Sequence, residues 1–208
     1  AAARLASTVI ANDPTPSVDG SSEEFFDSPT MFSNRELAGG VFSLVGEQRP
    51  DGSARSGLID EERRVNLNTA PAEVLQRLLE AVGAASGEDA AEIAAAIEDW
   101  RDEDDRQRPR GAEGFYYRSL SPPYECKDGP FENVEELLLV RGVSSDIYHL
   151  LEPHVTVYGS GQVNLNTATR TVLEALGLSQ AGVEGMRSFR AGEDNLEKPA
   201  LAVAEEGQ

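Results

Sequence analysis

Between Glu98 and Glu113 the chain reads EDWRDEDDRQRPRGAE, with seven carboxylates and four arginines in one short stretch. Two kinds of chemistry suit this composition. A solvated loop laced with Arg–carboxylate pairs would neutralise itself. A hard cation such as calcium would instead gather about six to eight oxygen ligands. Asp102, Asp104 and Glu113 stand at relative positions 1, 3 and 12, the spacing of an EF-hand loop. Position 5 is Arg106 and position 6 is Gln107 rather than Gly, so the EF-hand itself fails and an irregular oxygen cage is what remains. Asp102, Asp104 and Asp105 fall within four residues, where carboxylates repel one another unless a cation or Arg106, Arg108 and Arg110 compensates. Gly111 lets the chain fold back so that Glu113 closes the site, which makes Asp102, Asp104 and Glu113 the candidate ligands.

Other chemistry is sparse. The two histidines, His149 and His154, fall in helix and strand patterns, and no G-x-S-x-G, H-E-x-x-H, P-loop or C-x-x-C pattern occurs. Cys126 is the single cysteine, so no disulfide forms within the chain. Leu139 to Val143 forms a Gly-hinged turn between short helices, as in helix-hairpin-helix DNA binders, where backbone N–H groups meet phosphate. Residues 131–158 hold five acids against one Arg, however, so this surface repels phosphate. Phe115-Tyr116-Tyr117 and Tyr124 beside Pro122-Pro123 read as a loop pinned to a helical core, with partner contact as the alternative.

The elements that must position these residues are announced by a repeat. Val65-Asn66-Leu67-Asn68-Thr69-Ala70 returns unchanged as Val163-Asn164-Leu165-Asn166-Thr167-Ala168, followed in both places by Val-Leu and Leu at matching steps. Alternating apolar and Asn residues suit a short strand, and the apolar spacing after Thr-Ala suits a helix. Asn66, Asn68, Asn164 and Asn166 are expected to satisfy backbone groups at the corner, with Thr69 and Thr167 near the N-cap and Pro71 early in the helix. Two copies are too few for a solenoid and read as brackets around an insertion.

Along the chain, residues 1–11 are expected to end a helix, and residues 12–36 to be polar and irregular. A strand through Val41–Val45 and a second from Leu58 to Leu67, joined by a charged hairpin at 46–57, are expected to pair antiparallel. Helices follow over Val74–Val82, stopped by Gly83, and from Glu88 through Trp100. Asn133 opens a third helix with Glu136 at capping-box spacing, and a fourth runs from Ser144 to a stop at Pro153. His154 to Tyr158 alternates as a strand. The fold class is therefore α+β, a small antiparallel sheet interrupted by a large inserted α-helical domain: residues 69–152 as the insertion, 1–68 and 153–208 as the remainder.

The net charge of −19, from 18 basic and 37 acidic residues, excludes a general nucleic-acid binder and suits divalent cations or a periplasmic or secreted setting. No apolar run reaches the length of a membrane span. The chain starts at Ala1 without an initiator Met, as a processed protein would, and an anchor or signal removed upstream would not show in it.

FFDSP, IDEERRVNLNTA, the DW-R-DEDD and GAEGFYY stretches, SLSPPYE, and FENVEELLLVRGVSSDIYHLLEPHVTVYG followed by VNLNTA resemble, in that order, the periplasmic part of K-type minor pseudopilins of type II secretion systems. The resemblance covers roughly residues 24–190. It implies a pilin-like fold whose sheet is interrupted by the helical domain, with calcium bound in that domain. It also implies a non-enzymatic subunit capping the pseudopilus tip beside the I-type and J-type minor pseudopilins, with secretin or exoproteins as further contacts. Such a protein is periplasmic and anchored in the inner membrane by an N-terminal helix, which this sequence lacks along with the prepilin cleavage site. After Ala168 only 40 residues remain, where family members continue into further strands. The rival readings are a helix-hairpin-helix DNA-binding protein and a calcium-dependent, adhesin-like tip.

Overall fold

In the computed structural model, residues 2–13, 25–37, 39–46, 52–190 and 200–201 are described. Helix α1 spans Ala2–Ala11 and α2 Pro29–Phe32; strands β1, Arg35–Leu37, and β2, Gly40–Phe42, form an antiparallel hairpin. Strand β3 is Val65–Asn66, followed by α3 (Ala72–Ala81), α4 (Gly87–Arg101) and α5 (Gly114–Arg118). After a 3-10 segment over Val134–Leu139 come α6 (Ser145–Leu151), β4 (Val155–Thr156) and β5 (Val163–Asn164). Helices α7 (Arg170–Ala175) and α8 (Gln180–Arg190) precede β6 (Ala200–Leu201). The chain thus mixes helices with small sheets, as expected of an α+β protein.

The pairing of the strands differs from expectation. Val41 and its neighbours pair with residues 35–37 and not with the segment before Leu67. The reason is local: Asp60 accepts the Glu62 N–H at 2.9 Å and caps a 3-10 turn over Glu61–Arg63, so extended chain resumes only at Val65. Strand β3 then pairs in parallel with β4, Val65 opposite Val155 and Asn66 opposite Thr156. A parallel pair needs a long crossover, and the helical segment between the two strands is that crossover. The second hexapeptide enters a different pair, β5 with β6. Of the hairpin expected at 46–57, residues 47–51 lie outside the described residues, as do 14–24 and most of the tail after 190.

The two hexapeptides open equivalent units. In the first, the Asn66 side chain accepts the Asn68 N–H at 2.8 Å and the Ala70 N–H reaches Asn66 O at 2.9 Å; in the second, Asn164 accepts the Asn166 N–H at 3.0 Å and the Ala168 N–H reaches Asn164 O at 2.9 Å. Each unit continues into a helix, α3 or α7. Both helices stop at a left-handed glycine, Gly83 at φ +69° and Gly177 at φ +89°, where a Cβ would be strained. Helix α3 has ten residues and α7 six, and α4 has 15 against 11 in α8, so each helix of the second unit is about one turn shorter. Neither Thr69 nor Thr167 caps a helix: the N-caps are Pro71 and Thr169. Thr167 instead gives its hydroxyl to Asp60 at 2.6 Å, and Thr69 is exposed.

Helix α3 packs against both α4 and α7, and one hydrophobic core joins Leu78 and Leu79 to Ile97, Trp100, Leu137, Leu173 and Val183. Burying each such side chain contributes roughly 1.5–3 kcal/mol. That core runs through residue 152 without a break, so the helical layer takes in α7 and α8 as well. Asn133 forms the expected capping box with Glu136, though the segment it opens is a 3-10 helix.

Candidate metal centre

Helix α4 delivers the first carboxylates. Its apolar stripe, Ile93, Ala96, Ile97 and Trp100, turns Asp99 inward with it, and Asp99 is fully buried. The helix ends at Arg101, whose guanidinium donates to the carbonyls of Leu67 and Ala70 and so ties α4 to the first hexapeptide corner. Asp102 follows as the extended C-cap, its N–H bonded to Glu98 O at 3.1 Å.

The loop then doubles back. The Asp104 carboxylate accepts the Arg106 N–H at 2.8 Å, and the Asp99 carboxylate accepts the Arg108 N–H at 3.2 Å and its guanidinium at 3.0 Å. Gly111 passes so close beneath Asp99 that an added Cβ would lie 1.9 Å from a carboxylate oxygen. The Gly111 carbonyl is fixed by Gln107 at 2.7 Å and by Arg141 at 2.9 Å. Two residues later Glu113 turns into the interior at the start of α5, which Tyr117 anchors by an edge-on contact with Trp100.

The result is a cluster of Asp99, Asp102 and Glu113, with carboxylate oxygens within 4.8 Å of one another. The structure therefore gathers Asp102 and Glu113, as their spacing suggested. It leaves Asp104 out, because that carboxylate is exposed and occupied with its own turn. Asp99 was not singled out in the sequence, although its place beside Ile97 and Trp100 on an apolar helix face was the available sign. A second grouping joins Glu113 to Cys126 and the exposed Asp128.

Charge balance in the cluster is uneven. Arg108 bridges Glu98, Asp99 and Asp102. Burial pulls Arg108 down, but its bonds to Asp102 and Asp99 win and hold it above its usual range. Asp99 is raised, by burial first, with Arg108 opposing. Glu113 has no such partner: it is 4% exposed and neither carboxylate oxygen makes a hydrogen bond of good geometry. Burial, then the charges of Asp99, Asp102 and Asp128, push Glu113 up to about 7, and the Gly114 N–H opposes this only weakly. Cys126, pushed up to about 12 mainly by burial, stays a thiol and is no donor for a hard cation. An all-carboxylate set with one orphaned member has the donor chemistry of hard divalent cations.

The corner asparagines have structural partners. Asn68 clips Phe131 from both sides, donating to its carbonyl at 3.0 Å and accepting its N–H at 2.7 Å. Asn66 donates to Tyr158 O at 2.9 Å and Asn164 to Asp60 at 2.9 Å. At the glycine turn, Arg141 is held by Glu92 at 3.3 Å and by the Gly111 carbonyl, and its own N–H is given to the Tyr117 hydroxyl at 3.3 Å.

Comparison with known proteins adds to this geometry. The sequence profile of the family described as type II secretion system (T2SS), protein K, matches residues 43–160. The type II secretion system protein K of Pectobacterium carotovorum subsp. carotovorum is 30% identical over 146 residues, covering 70% of this chain and 44% of that protein. The Klebsiella pneumoniae protein of the same name is 32% identical over 132 residues, 56% of this chain and 40% of its own length. The chain thus spans less than half the length of these curated relatives. Among solved structures, a chain of the GspK-GspI-GspJ complex from enterotoxigenic Escherichia coli superposes with a TM-score of 0.66 at 21% identity, covering 84% of this chain and 61% of that one. This last likeness speaks to the fold.

Proposed function

The chain belongs to the type II secretion system protein K family, and from that premise we propose that it is the head of a non-enzymatic minor pseudopilin at the tip of the secretion pseudopilus. In this reading it works in the periplasm, with an N-terminal helix supplied upstream as its inner-membrane anchor and filament stem. Residues 1–68 and 153–208 would provide a pilin-like portion and 69–152 an inserted helical body, onto whose core α7 and α8 pack. The observation that carries the tip assignment is the bulk of helices α3 to α6 placed between β3 and β4. Pseudopilins stack through their N-terminal helices, and a subunit with so wide a head cannot sit beneath another copy. Its neighbours are the I-type and J-type minor pseudopilins, the partners named for the superposing E. coli structure. The distal face is then free to meet secretin or exoproteins. Joint purification of this chain with the I and J subunits of its own system tests the reading: a stable three-way complex is expected, and failure to join an otherwise intact I–J pair contradicts it.

Calcium is part of the same proposal. Asp99, Asp102 and Glu113 would hold it, and the ion would supply structural cross-linking, tying the end of α4 to the start of α5. The orphaned Glu113 carboxylate supports this most directly.

A further inference from the structure

The two hexapeptide units differ in how they treat one buried charge. In the first, Arg101 clamps the carbonyls of Leu67 and Ala70, and Glu98, three residues earlier, lies 3.6 Å away. The same Glu98 oxygen accepts the Ala72 N–H at 2.9 Å, and the other oxygen meets Arg108 at 3.1 Å. In the second unit, Arg190 clamps the carbonyls of Leu165 and Ala168 in the same way. Three residues earlier, however, stands Arg187. Among the described residues no carboxylate pairs with Arg190, and its Nε is buried without a hydrogen-bond partner.

A cavity of about 590 Å³ opens beside Arg190, lined also by Arg55, Arg63, Arg170, Arg187 and Phe26. Five of the 18 basic residues of a chain with net charge −19 thus converge on one place. Arg63 is itself buried, and burial, then the Arg63 charge, depress Arg190. Exposed Glu184 is shared by Arg170 and Arg187, and Arg170 also meets Glu174 at 3.3 Å. We propose that this cavity binds an acidic peptide segment of a partner protein, one of whose carboxylates takes the place that Glu98 fills in the first unit. A small free anion is disfavoured, because only neighbouring carboxylates on one chain can engage several guanidinium groups together. The site is independent of the tip reading.

Calorimetric titration of this chain with an octaglutamate peptide at low ionic strength, and separately with inorganic sulfate, tests it. The peptide is expected to bind with an affinity that falls as salt rises, and sulfate to bind far more weakly. Arg187→Glu, which supplies the missing carboxylate from within, should weaken peptide binding by about tenfold or more without lowering the melting temperature. Arg187 is more than half exposed, so this variant and Arg187→Ala keep the fold. Arg118→Glu, the same charge change on α5, should leave the affinity nearly intact. No peptide binding, equal losses in Arg187→Glu and Arg118→Glu, or sulfate binding as tight as the peptide would each overturn the proposal.

Discussion

Glu113 combines a carboxylate, near-complete burial and three nearby acids in a place without a hydrogen-bonding partner. Raised from 4.5 to about 7, it binds its proton more tightly folded than unfolded. Its contribution to stability is therefore fully present below about pH 4.5 and lost as pH rises through about 7. Metal-free protein should accordingly melt at a lower temperature at pH 8 than at pH 5, with Glu113→Gln flattening the difference. Calcium competes with that proton, so the rise in melting temperature with millimolar calcium should be larger at pH 8 and absent in Glu113→Gln. A melting temperature indifferent to calcium and chelator after stripping would leave Arg108 alone as the neutralising group. A second prediction concerns Asn68. Replacing it with Ala strands the N–H and C=O of Phe131, which is itself buried, and should cost about 1–3 kcal/mol in chemical denaturation. An unchanged midpoint would remove the structural role assigned to this corner.

Among elements, the Arg clamps join each helix pair to its hexapeptide corner. Arg101 reaches two carbonyls at once, which a lysine cannot do with the same planar fork. Arg101→Lys should therefore cost roughly 1.5–3 kcal/mol, with loss of amide protection at Leu67–Ala70 in hydrogen exchange. Retained protection there would show that the corner holds without the clamp. This duplication was legible in the sequence only as a repeated hexapeptide. The rest was hidden because α7 and α8 are each about a turn shorter than α3 and α4, which moves Arg190 out of the offset shared by the hexapeptides. Helix boundaries at Gly83 and the Asn133 capping box could be read directly, since they depend on local backbone chemistry. The parallel pairing of Val65 with Val155 could not, because it depends on where the intervening helices carry the chain. The same division applies to the metal cluster. Asp102 and Glu113 were visible in an acidic loop, whereas Asp99 belongs to it through the rotation of α4.

For the whole molecule, the family match from residue 43 to 160 spans the helical body and its crossover from β3 to β4. No described helix is long and apolar enough to cross a membrane. A chain with net charge −19 is poorly suited to nucleic acid, and the Gly142 turn packs on Ile93 and is held through Arg141. The most direct test of the tip assignment is size-exclusion chromatography with light scattering on this chain mixed with the soluble I-type and J-type minor pseudopilins of its own system, in calcium. The account predicts a single species containing one copy of each; elution of this chain alone beside an intact I–J pair would contradict it.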